Sequence, residues 1–146
     1  MAPVDRLQSS FLTFHQWIYT ASGGRIGHRL IGVPTLLLHT KGRKSGLART
    51  AALVYAVDPD GNYVVVASNG GSDVPPGWLA NLRADPHVAV QVATRRMGVT
   101  ASVVSRGDDD YEALWRAVND NNHGRYDGYQ QKTNRPIPLV RLSPSP

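Results

Sequence analysis

The sequence predicts one α+β domain, mainly antiparallel β structure curled into a small barrel of about six strands, with a few helices attached. Three observations predict it. Short apolar runs recur along the chain, each bounded by Gly, Pro, Asp or Asn turn chemistry, which is the pattern of strands. Three stretches space their apolar residues three and four apart, as helices do. The 146 residues allow one core of real size but not two.

Residues Ser10 to Tyr19 place Phe11, Phe14, Trp17 and Ile18 at helical spacing behind a serine cap, so an amphipathic helix begins here. Its apolar face packs on the domain body; Arg25 and Arg29 allow a membrane surface or a ligand as the alternative. Residues 1–30 are thus an N-terminal helix and a glycine-rich connection, and residues 31–146 the body of the single domain.

The stretch Thr35 to Thr50 organises the rest. An apolar run enters a turn with two glycines and a Lys-Ser pair, and a second run, Ala51 to Val57, leaves it. Gly42 and Gly46 permit a positive φ, so turn amides can converge, and Lys41, Arg43, Lys44 and Arg49 surround them with positive charge. An anion suits that place; a solvated hairpin tip is the alternative. A nucleotide P-loop is excluded, because it needs Gly directly before Lys-Ser and a helix afterwards, whereas Arg43 precedes Lys44 and strand follows.

Asp58-Pro59-Asp60-Gly61 is a turn, and Asn62 to Ala67 is the next strand, apolar enough to be buried on both faces. Ser68 to Ser72 follows, either a loop where bare backbone approaches a flat or charged ligand or an ordinary glycine-rich connection. Pro75 and Pro76 start a short helix that Asp85-Pro86 stops, with Trp78 as a core anchor and Asn81 facing water. His87 to Val92 and Met97 to Val104 pair across the basic turn Ala93 to Arg96. Asp108, Asp109 and Asp110 cap a helix whose buried stripe is Tyr111, Leu114, Trp115 and Val118. They are no metal site, because a hard cation needs carboxylates converging from a folded loop. His123, Tyr126 and Tyr129 lie three apart and would share one helical face. Pro136 to Leu142 closes the sheet as an edge strand, where proline is tolerated.

With no cysteine, disulfides, zinc-thiolate sites and thiol catalysis are excluded. The chain lacks both a long apolar run and a signal-peptide pattern, so a cytoplasmic protein is expected, with membrane association through the first helix left open. The formal charge is +5 and thirteen of the sixteen cations are arginine, whose forks suit phosphates and carboxylates. Nucleic acid matches the charge, but the basic residues do not interleave with aromatics as a stacking platform requires. The five histidines lack metal-ligand spacing, no Gly-x-Ser-x-Gly elbow exists, and the lone Glu112 leaves little for paired-carboxylate hydrolysis. Side chains with so little reactivity suit a protein that holds a phosphorylated cofactor and lets it carry the chemistry.

The run Leu38 to Thr50, with Gly-Arg-Lys-Ser-Gly at Gly42 to Gly46 and Arg49 beyond, resembles the signature of the actinobacterial deazaflavin-dependent nitroreductase family. Val66 to Gly71, Pro76 to Leu82, Asp85-Pro86 and Arg135 to Pro138 resemble its further motifs in order, so that the likeness spans about residues 30 to 142. The resemblance implies a split β-barrel, like FMN-binding proteins and flavin reductases, that carries the deazaflavin coenzyme F-420. It implies that Arg43, Lys44, Ser45, Arg49 and Thr50 take the phosphate and acidic tail. Ala51, Ala52, Leu53, Val66, Ala67, Ser68, Asn69, Gly77, Trp78, Leu79, Ala80 and Asn81 would line the ring and ribityl chain, with Tyr126 covering the pocket. Tyr126 and Tyr129 resemble substrate-side tyrosines, and His123 stands where another tyrosine often occurs. The implied reaction is hydride transfer to a quinone, enone or nitroaromatic, with a tyrosine hydroxyl or water giving the proton. Ala52 replaces a usual proline, and Val74 a common lysine. The rival readings are a barrel of the same shape holding FMN or haem and a non-catalytic barrel binding single-stranded nucleic acid; self-association is open.

Overall fold

Lys41 pairs with Ala48 at the end of a hairpin between strand β1 (Thr35–Lys41) and strand β2 (Ala48–Val54), leaving Gly42 to Leu47 as the turn. These and all later statements come from a computed structural model that describes residues 33–145. The expected N-terminal helix lies outside the described residues.

The apolar run expected as one strand through Val57 is broken at Tyr55, and β3 (Ala56–Val57) leaves the hairpin to pair with β4 (Tyr63–Val66). Tyr55 makes the break: its ring meets Tyr63 edge-on at 5.5 Å, its amide donates to Pro34 O, and its carbonyl accepts from Asn121 Nδ2. The remaining strands are β5 (His87–Val92), β6 (Arg95–Val104) and β7 (Leu139–Pro144). The order is β2-β1-β5-β6-β7-β4-β3, with every neighbouring pair antiparallel. Strands β2 and β3 sit at opposite ends of that order, yet only Tyr55 separates them in the chain. The sheet must therefore curl back on itself, and β2 packs beside β4. Seven strands form rather than six, the short β3 being the addition.

Strand β7 corrects the expected edge strand, because it is bonded on both sides, to β6 and to β4. Pro136 and Pro138 precede it, so Leu139 to Leu142 keep their amides for the ladders. Pro138 O meanwhile accepts from Ala67 N at 3.0 Å.

Helix α1 (Gly77–Ala84) crosses near β1, while α2 (Tyr111–Asn121) and α3 (Arg125–Gln131) precede β7. One longer helix was expected in place of α2 and α3; His123, at φ 58, marks the break between them. Asp110 occupies the α2 N-cap position, but its carboxylate takes Arg141 rather than a helix amide. The strands contribute to two separate cores, while much of β2 and alternate residues of β6 stay exposed. Leu36, Leu38, Val90, Val140 and Leu142 fill one core with Leu79 and Leu82 of α1, while Val64, Val66, Val104 and Leu139 meet Leu114 and Val118 of α2 in a second.

Candidate functional site

A cavity of about 370 Å3 opens between the Gly42–Leu47 turn, the adjoining ends of β1 and β2, and the start of α1. The turn is closed by Gly42 N donating to Leu47 O at 2.7 Å and Gly46 N to Gly42 O at 2.8 Å. Gly46 holds φ 72, a left-handed value that a side chain would strain. Ser45 Oγ accepts from the Leu47 amide, which fixes the loop from within. Cross-strand partners share a face, so Thr40 and Arg49 belong with Leu38 and Ala51, while His39 and Thr50 belong to the other face.

The lining brings together Arg43, Lys44, Ser45, Arg49, Thr50, Ala51, Gly77, Trp78 and Asn81 from the expected set. Thr40 and Gly42 also line it; Gly42 belonged to the turn from the outset, and alternation along β1 was the available signal for Thr40. Three of the lining residues are cations and none is a carboxylate. Among the described residues, the ion pairs involve only Arg141 with Asp58 and Asp110, so Lys44 and Arg49 keep their charge for another partner.

Asn81 corrects the expectation that it faces water. It is 6% exposed, and a buried amide needs partners. Its Oδ1 accepts from the Arg43 amide and from an Arg43 guanidinium nitrogen, each at 3.1 Å, and its Nδ2 donates to Thr40 Oγ1 at 3.1 Å. Trp78, half-buried, both packs on the first core and lines the cavity. Leu79 is buried in the core, and Ala80, Ala52 and Leu53 do not line the cavity. Ala52 pairs with Leu37, farther from the turn than Thr50, on the face opposite Ala51.

Val66, Ala67, Ser68 and Asn69 also lie outside that lining, in a second locus that adjoins the tyrosine helix. Val66 and Ala67 are core residues, and Asn69 bends back at φ 46 with its Nδ2 donating to Val74 O. A Cβ placed on Gly71 would lie 2.6 Å from Tyr129 O, so loop and helix α3 touch through backbone. Arg135 straps the loop, donating to the carbonyls of Ala67, Ser68 and Ser72.

His123, Tyr126 and Tyr129 do not share a helical face. His123 is exposed in the break before α3, Tyr126 is buried in the second core, and Tyr129 is half-buried 5.9 Å from the Tyr126 ring. Burial pushes the Tyr126 hydroxyl well above its ordinary range, with Tyr129 adding to the effect. On the outer face of β1, His39 is held below its usual value by burial and then by Arg96; its Nδ1 lies 3.0 Å from Thr50 Oγ1 and its buried Nε2 has no partner. Among the described residues no three His, Asp or Glu side chains gather as a metal site, and no helix is long and apolar enough to cross a membrane.

Residues 12–144 match the family model described as F420H(2)-dependent quinone reductase. An F420H(2)-dependent quinone reductase of Mycobacterium tuberculosis (strain H37Rv) is 50% identical over 133 residues, spanning 90% of this chain and 89% of that protein. A solved F420-H2 dependent reductase is 33% identical with a TM-score of 0.66, covering 75% of this chain and 94% of the other. Another solved chain, described as a domain-swapped dimer, is 29% identical with a TM-score of 0.68, covering 97% of this chain and all of that one. With residues 12–144 inside the family model and half of the 133 aligned residues identical to such a relative, the chain belongs to the F420H(2)-dependent quinone reductase family.

Proposed function

We propose that this chain reduces quinones with coenzyme F-420, holding the phosphate of the coenzyme at the Gly42–Leu47 turn and its ring against Trp78. The observation that carries the reading is the chemistry of one cavity wall: Arg43, Lys44, Arg49 and Ser45 without a carboxylate, beside Ala51 and Trp78. A phosphate gains charge-assisted hydrogen bonds there, each worth about 1.5–3 kcal/mol. A flat ring gains the indole face and the Ala51 methyl. The donor set fits the group, and membership of the family supports the same reading.

When bound, the reduced deazaflavin supplies a hydride, the two-electron equivalent that turns a quinone into its hydroquinone once a proton is added. The task left to the protein is positioning and exclusion of water. Lys44 and Arg49 hold the anion, while Trp78 and Ala51 seat the ring. Tyr126, buried in the second core and made a still weaker acid by that burial, backs Tyr129; Tyr129, half-buried beside it, or water would give the proton. The exposed part of the loop at Asn69, joined to α3 through Gly71, would make the acceptor side. Enones and nitroaromatics accept the same hydride. Assembly as a dimer belongs to this reading, on the example of the domain-swapped relative.

The test is anaerobic. Purified chain is titrated with oxidised and reduced coenzyme by fluorescence, and consumption of the reduced form is then followed with a soluble naphthoquinone. Saturable binding and quinone-dependent consumption above the protein-free rate are expected; absence of both retires the proposal.

A further inference from the structure

We infer that Asn81 serves the anionic part of the ligand as a positioning residue, acting through Arg43 instead of touching the ligand. The inference rests on the deazaflavin reading above and moves Asn81 from the ring wall, where the sequence resemblance put it.

Both lone pairs of Asn81 Oδ1 are occupied within the chain, by the Arg43 amide and guanidinium, and one Nδ2 hydrogen goes to Thr40 Oγ1. The amide orientation follows from these partners, since only oxygen can accept from the Arg43 N–H. One side chain thus ties together three segments that meet at the cavity: β1 through Thr40, the glycine turn through Arg43, and α1 through its own backbone. Arg43 reinforces the tie with a longer contact, 3.4 Å, to Gly77 O at the start of α1. Arg43 is therefore turned toward the protein, while Lys44 and Arg49 have no ion-pair partner among the described residues. Asn81 sets the pose of the turn, and that pose sets where Lys44 and the turn amides point. A group working in this way affects recognition of phosphate and leaves recognition of the ring alone.

Fluorescence titrations of the wild-type chain, N81A, R43A and the double variant test this with two ligands, coenzyme F-420 and a deazaflavin of the same ring and ribityl chain without phosphate. N81A is expected to weaken F-420 binding about tenfold and the phosphate-free ligand by less than about twofold. In the R43A background, the further loss from N81A should be small, as for two members of one unit. Equal losses for both ligands, or additive losses in the double variant, overturn the inference while wild-type binding of F-420 leaves the parent reading standing. A wild-type chain that binds neither ligand removes both. Hydrogen exchange on the ligand-free wild-type chain covers the case of an N81A protein that does not fold. The Arg43 amide should exchange about tenfold more slowly than the Lys44 amide, and equal rates overturn the inference.

Discussion

Lys44 and Arg49 line the cavity with side chains that have no ion-pair partner among the described residues, and the proposed function gives them the anion. K44A and R49A are each expected to weaken coenzyme binding by more than tenfold, about 1.5–3 kcal/mol, with a smaller dependence of affinity on salt. Fluorescence titration at two ionic strengths measures it, and unchanged affinity in both variants removes the turn from the site. Gly46 acts differently, because its φ of 72 lies where a Cβ costs about 1–2 kcal/mol. G46A should lower stability by about that amount in urea denaturation. At this scale the sequence was informative where the signal is local: charges and glycines around a turn declare themselves. Asn81 did not, since a polar residue on a short helix gives no sign of burial until β1 and the turn arrive to satisfy it.

At Gly71 the Ser68–Ser72 loop comes up against the backbone of Tyr129 in helix α3. A Cβ on Gly71 would overlap Tyr129 O at 2.6 Å and crowd its Cα at 3.0 Å, on top of a φ of 87. Backbone cannot step aside as a side-chain tip can. G71A is therefore expected to cost about 2 kcal/mol or more in a denaturant midpoint and to loosen α3, seen as faster amide exchange at Tyr129. Stability within about 0.5 kcal/mol of wild type would contradict the close approach. Helix and strand identities were largely legible here from periodicity, but two assignments were not. Pro136 and Pro138 suggest an edge strand, yet they fall just before Leu139 to Leu142, which pair on both sides. The three-residue spacing of His123, Tyr126 and Tyr129 suggests one helical face, which His123 interrupts with its positive φ of 58.

The curl of the whole sheet depends on Tyr55, the residue through which the chain passes from one end of the strand order to the other. Tyr55 is 9% exposed and belongs to the first core, so Y55A should cost about 3–5 kcal/mol and reduce cooperativity of unfolding. Coincident, wild-type-like melting by near- and far-ultraviolet circular dichroism would contradict that role. A second tie spans the molecule: Arg141 of β7 donates to Asp58, next to β3, and to Asp110 at the start of α2. Burial raises the Asp58 carboxyl, but hydrogen bonds from Asn62, Arg141 and Asp60 outweigh it, leaving the folded value below the ordinary one. A depressed carboxylate contributes stability that is full above its unfolded value, about pH 4, and is lost as pH falls through the lower folded value. Acid unfolding should thus lose part of its steepness below about pH 4 in D58N, measured by denaturation at a series of pH values.

The sequence by itself determined the antiparallel β class, most strand positions, the cation-rimmed turn and, through resemblance, the family that the comparisons support. These depend on spacing, charge and turn chemistry within a few residues of one another. Tertiary structure alone decided which strands sit at the edges, that Asn81 is buried, and that Tyr126 is core while His123 is exposed. Each depends on what arrives from elsewhere in the chain, and burial, pairing partners and hydrogen-bond satisfaction exist only once the sheet has curled.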